Sequence, residues 1–279
     1  MGAFGRKLEY ELPALAAELL DGSYAPLPLL RFLVAKPDGS PRALCVPVVR
    51  DRVAQAAVLN VAEPLLEAQF ESVSFAYRKG RSIKQAAYLI KEIRDEGYRF
   101  AVDADIDAFF DNIDQDLLGA KFAAVVNDPE IVRLVRSWIA AEIYDGKEVL
   151  SLQRGIPQGS VVSPVLANLF LDELDECLLS CGNRMVRYSD DFLVFAKTHC
   201  EAVRALASIE EVLARLHLIL DAEDTEISTF EQGFKFLGLT FLGNSIFAPF
   251  DRPRREKRVL YMPPPFDLKG YLTTKRSRS

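Results

Sequence analysis

Val186-Arg187-Tyr188-Ser189-Asp190-Asp191-Phe192-Leu193-Val194-Phe195 sets two adjacent carboxylates between short apolar runs, residues 185–186 and 192–195. Runs this short, interrupted by Ser-Asp-Asp, predict a tight β-hairpin with its charges at the apex. Adjacent like charges repel, and nothing in folding favours them where two buried strands meet. One reading is a cation that needs both acids. The other is an ordinary surface turn, since Ser and Asp are common turn residues. The hairpin alone leaves both open.

Working upstream, residues 100–110 (FAVDADIDAFF) alternate Asp103, Asp105 and Asp107 with Ala104, Ile106 and Ala108. Period two predicts a strand with three acids on one face. Such a face is costly unless it is wet or binds cations, which points to a metal site. The two acid clusters lie about 85 residues apart. Brought together, three or four carboxylates suit two divalent ions of the Mg²⁺ type and two-metal phosphoryl transfer. Hard oxygen donors without nearby His or Cys favour Mg²⁺ over zinc. Lys36 and Arg42 flank a Pro-Asp-Gly-Ser turn between two apolar runs, a hairpin whose cations either act on one anion, such as a triphosphate, or are simply solvated. From the residues alone the reading stops at metal-dependent phosphoryl transfer on a phosphate-rich substrate.

Elsewhere the pattern is mixed. Residues 1–30 read as a short helical arm with a Pro-rich end. Asp51 is placed as a helix N-cap, and helices are expected at 83–93, 115–126, 129–143 (with Trp138 in the core) and 201–216. Ser163-Pro164 reads as an N-cap with proline in the first turn, followed by a buried stripe of Val165, Leu169, Phe170, Leu174 and Leu178. Gly155-Ile156-Pro157-Gln158-Gly159-Ser160 before it is either a close approach to a ligand or a plain Gly-rich turn. A strand pair is expected over 234–242 and 246–250. This irregular alternation predicts an α+β layer structure.

The chain has 279 residues, 49% of them hydrophobic, and a formal charge of −6, which argues against coating nucleic acid by bulk electrostatics. Its cations nevertheless cluster at 78–81, 252–258 and 275–279, tracts that are usually solvated faces. No run reaches membrane-spanning length, and residues 1–10 lack a signal-peptide core. Four cysteines show no CxxC pair; Cys177 and Cys181, one turn apart, read as buried thiols, and a reducing, cytoplasmic home is the expectation. Both histidines, His199 and His217, fall in a helical stretch, so a His-based mechanism is not expected.

Together, residues 42–55 (RALCVPVVRDRVAQ), 75–82 (FAYRKGRS), 105–114 (DIDAFFDNID), 155–169 (GIPQGSVVSPVLANL), 188–191 (YSDD) and Phe236-Leu237-Gly238 resemble the reverse transcriptases of the group II intron-like lineage. The resemblance implies a right-hand polymerase: fingers over 1–100, an antiparallel palm sheet with packed helices over 101–250 (a fingers-proximal portion at about 115–160), and a basic tail or truncated thumb at 251–279. It implies Asp105, Asp190 and Asp191 as catalytic metal ligands for two Mg²⁺ ions, with Mn²⁺ as a substitute. Phe110 matches the gate against a ribose 2′-OH, Gln158 and Ile106 the sugar and nucleotide contacts, and Lys36 and Arg42 the triphosphate cations. Arg78, Lys79 and Arg81, with Leu237 and Gly238 of the primer-gripping strand pair, would touch nucleic acid. The implied partners are an RNA template, a DNA or RNA primer and dNTPs, with no membrane.

Two departures stand out. Asp224 occupies a place where relatives commonly carry Lys, and Asp107 does the same. The short C-terminal part and the acidic balance point to a domesticated enzyme working with a protein partner such as the integrase of CRISPR adaptation. An intron-encoded or other defence reverse transcriptase, and a non-catalytic polymerase-like RNA-binding module, are the alternatives.

Overall fold

The computed structural model describes residues 7–36, 39–248, 259–268 and 270–271. The basic tracts at 252–258 and 275–279, and Pro37 and Asp38 of the expected turn, lie outside them.

Helix α1 (Leu8–Leu20) leads into the hairpin β1 (Leu29–Ala35) and β2 (Pro41–Val46), paired antiparallel from Leu30 opposite Val46 to Ala35 opposite Pro41. Helix α2 (Val49–Glu67) follows. Asp51 lies in its first turn, and Val48 is the residue at the cap. The Asp51 carboxylate instead accepts from the Tyr24 hydroxyl (2.9 Å) and the Leu27 amide (2.9 Å), fastening the incoming Pro-rich segment. Trp138 Nε1 donates to the same tyrosine oxygen (3.0 Å), which satisfies the indole at its buried place.

Next come α3 (Ile83–Asp95), strand β3 (Phe100–Ala104), and helices α4 (Phe109–Asn112), α5 (Gln115–Val125) and α6 (Pro129–Ile139). Helix α6 stops before the expected Ile143. Ile143 and Tyr144 form β4, parallel to Leu29–Leu30, and β4 pairs with β5 (Val149–Leu150).

Helix α7 (Ser163–Ser180) carries the expected stripe, buried at Val165, Leu169, Phe170, Leu174 and Leu178. Ser163 is its first residue and not its cap; the hydroxyl donates to the Pro157 carbonyl (2.8 Å), closing the Gly-rich turn. Cys177 is only partly buried and Cys181 is exposed, because both lie beside the stripe. Strands β6 (Arg184–Tyr188) and β7 (Asp191–Ala196), helix α8 (His199–Arg215) and strands β8 (Glu226–Thr229), β9 (Phe234–Phe236), β10 (Leu239–Leu242) and β11 (Ser245–Phe247) complete the body. His217 falls just past α8 in the left-handed region (φ 58°), and its ring meets the Asp114 carboxylate (3.0 Å). A short strand, β12 (Val259–Tyr261), pairs with Leu33 and Val34 of β1, so part of the tail joins the first sheet.

The central sheet has order β6-β7-β3-β8, antiparallel throughout. Period two decides its packing. Val102, Met185, Phe192 and Val194 face the main core with α7 and α8, while Ala101, Val186, Leu193 and Phe195 face a second core with Ile90 and Ile93 of α3 and with Phe230, Phe234 and Phe241. Both faces are covered, which explains why residues 192–195 form an unbroken apolar run. Burial at roughly 25 cal/mol per Å² makes this two-sided sheet the rigid floor on which the acids stand.

Candidate active site

The hairpin turns where the acids are. Tyr188 pairs with Asp191, leaving Ser189 and Asp190 as a two-residue turn. Ser189 is left-handed (φ 67°), as the first central residue of a type II′ turn must be, at a cost a glycine would avoid. A buried guanidinium beneath holds the turn. Arg187 donates to both oxygens of Asp175 (2.8 and 2.6 Å), to the Asn168 side-chain oxygen (2.9 Å) and to the Ser189 carbonyl (3.0 Å). Asn168 in turn donates to the Ala76 carbonyl (2.8 Å). The backbone of Arg187 also exchanges hydrogen bonds with the 73–75 loop, forming a parallel bridge at Ser74.

Asp105 arrives from the neighbouring strand. Strand β3 ends at Ala104, and the chain then bridges to a new partner: Ile106 opposite Leu220, the Asp107 amide to the Ile219 carbonyl, and the Asp221 amide to the Asp105 carbonyl. The expected single face of three acids is therefore broken up. Asp103 stays in the sheet opposite Leu193 and Glu226, and Asp107 is exposed in the following turn. Ile106 packs into the core and is not a cavity wall, because its bridge to Leu220 sets its side chain inward.

A cavity of about 920 Å³ collects the rest. Asp105, Asp190 and Asp191 line it together with Lys36, Arg42, Phe110 and Gln158, residues that the sequence scatters over more than half the chain. Arg42 Nε donates to Gln158 Oε1 (2.9 Å), and the Cys45 amide donates to the Gln158 carbonyl (2.6 Å), so the hairpin and the Gly-rich turn form one wall. Gly155 has φ 80°, and a Cβ there would lie 2.6 Å from the Asp111 carbonyl oxygen. Only glycine lets that turn sit against α4.

The acids are crowded. Burial, then repulsion from Asp190 and Asp105, pushes Asp191 up to about 6 although the residue faces the open cleft, and Arg42 offsets this in part. Burial raises Asp105 as well, with Asp190, Asp224 and Asp221 adding to it and the Ile106 amide opposing. Asp103 is pushed to about 7 by burial and then by Glu226, Asp191 and Asp105. Carboxylate oxygens of Asp105, Asp221 and Asp224 come within 4.8 Å of one another. A cluster of hard oxygen donors crowded by mutual repulsion fits a divalent cation.

The remaining expected contacts lie elsewhere. Arg78 is buried, donating to Glu67 (2.7 Å) and to the Glu71, Ser74 and Phe70 carbonyls, so its fork is committed to the fold and not to a ligand. Lys79 is exposed and pairs with Glu63, while Arg81 donates to the Ser72 carbonyl and covers the Phe75 ring. Leu237 and Gly238 form the β9–β10 turn, both with positive φ, outside the cavity wall. Tyr77, Tyr188, Ser160 and Ser163 also line the cavity, and Arg187, Asn168 and Asp175 are buried beneath the turn; none of these is among the expected site residues. The trio had a signal: a charge inside an apolar strand and polar residues on an apolar helix.

The sequence matches the family described as reverse transcriptase (RNA-dependent DNA polymerase) over residues 34–241. It is 31% identical to protein YkfC of Escherichia coli K12, over 83% of this chain and 71% of that protein. It is 32% identical to the group II intron-encoded protein LtrA of Lactococcus lactis, over 66% of this chain but 31% of LtrA. Among solved structures, telomerase from Candida albicans in complex with a telomeric RNA fragment superposes with TM-score 0.67 at 16% identity, over 81% of this chain and 46% of that one. At that identity the likeness shows the fold, a fingers-and-palm polymerase fold with an antiparallel sheet.

Proposed function

The chain belongs to the reverse transcriptase (RNA-dependent DNA polymerase) family, and from that premise we propose that it copies RNA into DNA by adding deoxynucleotides to a primer 3′-hydroxyl. The observation that carries this reading is the single cavity shared by Asp105, Asp190 and Asp191, the cations Lys36 and Arg42, and Phe110 with Gln158. In it Asp105 and Asp190, with Asp191 beside them, would hold two Mg²⁺ ions, or Mn²⁺ in their place. When bound, such ions lower the pKa of an attacking hydroxyl and neutralise charge on the leaving pyrophosphate. Lys36 and Arg42 bind the triphosphate, and Gln158 keeps Arg42 aimed into the cleft. Phe110 closes the space a 2′-hydroxyl would need, which selects the deoxy sugar. We take the fingers as residues 1–100 with help from 115–160, and the palm as 101–250.

Primer extension on an RNA template tests the reading. DNA synthesis is expected with dNTPs and Mg²⁺, and Phe110→Ala is expected to admit rNTPs at least about tenfold better, the worth of roughly 1.4 kcal/mol. Template binding without any extension would leave the non-catalytic RNA-binding module standing instead.

Two settings follow from different observations. The acidic balance of −6 favours a polymerase that leans on a partner, such as an adaptation integrase. The likeness to LtrA favours an intron-type setting. Co-purification with an integrase supports the first, and flanking intron RNA the second.

Among the described residues no helix is long and apolar enough to cross a membrane.

A further inference from the structure

We propose that Tyr77 is a stacking platform for a nucleobase of the template strand, an inference that rests on the polymerase reading above. Tyr77 lines the same cavity as the three aspartates, yet its ring is 58% exposed. Its backbone is left-handed (φ 57°), a conformation that a bulky side chain adopts only when its surroundings impose it.

The surroundings do impose it. On one side Ala76 is fully buried, and its carbonyl is held by Asn168. On the other, Arg78 is buried and its guanidinium is tied to Glu67 and three backbone carbonyls. Two anchored neighbours thus turn an apolar ring outward into a polar cleft. Folding gains nothing from that exposure; a flat partner arriving from solvent would.

The chemistry of the cavity says which partner. Lys36 and Arg42 suit phosphate, and Phe110 lies beside the acids where a sugar would sit. A nucleobase is the part of the substrate still without an aromatic face, and base–aromatic stacking tolerates every base. The loop carrying Tyr77 continues into Lys79, whose exposed ammonium holds only a surface ion pair with Glu63 and can exchange it for a continuing phosphodiester backbone, which a single nucleotide does not offer. That favours the template strand over the incoming dNTP.

The test uses the full chain and a primer annealed to an RNA template carrying 2-aminopurine at the first unpaired position. Wild type and Tyr77→Phe are expected to quench the probe and to bind equally. Tyr77→Leu and Tyr77→Gly are expected to lose the quenching and to bind about tenfold more weakly. Tyr77→Gly also relieves the left-handed strain, so its melting temperature should hold or rise while binding falls, which a merely structural role for the ring would not produce. Unchanged quenching and affinity in Tyr77→Leu would overturn the proposal. So would a defect confined to the KM for dNTP, which would assign the ring to the incoming base. A wild-type chain that binds no primer–template at all would instead sink the polymerase reading itself.

Discussion

Two groups of acids lie about strand β6, one beneath it and one beyond its tip, and they are resolved in opposite ways. Beneath it, Asp175 is wholly buried and answered by Arg187, itself fully buried, through a two-pronged ion pair. At its tip, Asp105, Asp190 and Asp191 face a cavity with repulsion among themselves and only Arg42 opposing it for Asp191. An acid matched from within is architecture. Acids left unmatched around an open space are the ones the proposed metal ions would answer.

The comparison breaks most sharply at the tip. Asp190→Ala/Asp191→Ala should lower primer extension by about 10³-fold or more, several kcal/mol of transition-state stabilisation. The same change removes like-charge repulsion, so the melting temperature in the absence of metal should rise. A variant that extends as well as wild type would end the metal assignment.

The buried pair should behave in reverse. Arg187→Met strands Asp175 in the core and should cost roughly 3–5 kcal/mol in urea unfolding, whereas Arg187→Met/Asp175→Leu should recover most of it. Failure of the double variant to recover would mean that the hydrogen bonds to Asn168 and Ser189, and not the charge pair, hold this layer together.

Asn168 joins the layers. Asn168→Ala removes a link to Ala76 and an acceptor for Arg187, at about 1–3 kcal/mol. If the link sets the height of the acids, the Mg²⁺ concentration for half-maximal extension should also rise. A loss of stability with an unchanged Mg²⁺ dependence would confine Asn168 to the fold.

The smallest effect concerns Asp172, close to the buried pair but not served by it. Burial, then Asp175 and Glu176, raises it to about 7, Arg187 offsets only part, and one of its oxygens has no hydrogen-bond partner among the described residues. A carboxyl raised in the folded state holds its proton there while the unfolded chain releases it. Its penalty is therefore absent below about pH 4, grows as pH rises, and levels off above about pH 7. Asp172→Asn should stabilise by roughly 1–2 kcal/mol at pH 8 and by little at pH 4. An equal gain at both would show that charge is not the cause.

Much of this was legible in the sequence because period and turn chemistry are local. The hairpin at 184–196, the stripe on α7 and the α+β class follow from spacing alone. The wall formed by Lys36, Arg42, Gln158 and Phe110 was reachable through resemblance, since no local rule joins residues over 100 positions apart. What stayed hidden depends on partners. Asp107 leaves the expected acid face because on the β8 side the partner slips from Glu226 opposite Asp103 to Leu220 opposite Ile106, and no alternation records where a strand's register breaks. Arg78 sits in a tract that looks solvated, and only the fold shows Glu67 waiting for it. Asp51 looks like a helix cap until Tyr24 and Leu27 claim its oxygens.

The parallel bridge at Ser74 has a mechanical meaning. The backbone of Arg187 binds Val73 and Phe75 on one side and leads into the Ser189–Asp190 turn on the other. Tyr77 and the acids thus form the fixed jaw of a calliper, unable to drift apart without tearing a strand from its sheet. The β1–β2 hairpin, reaching the cavity with its exposed Lys36 and Arg42 and tied to Gln158, is the opposite jaw, and the gauge of the opening is read between them.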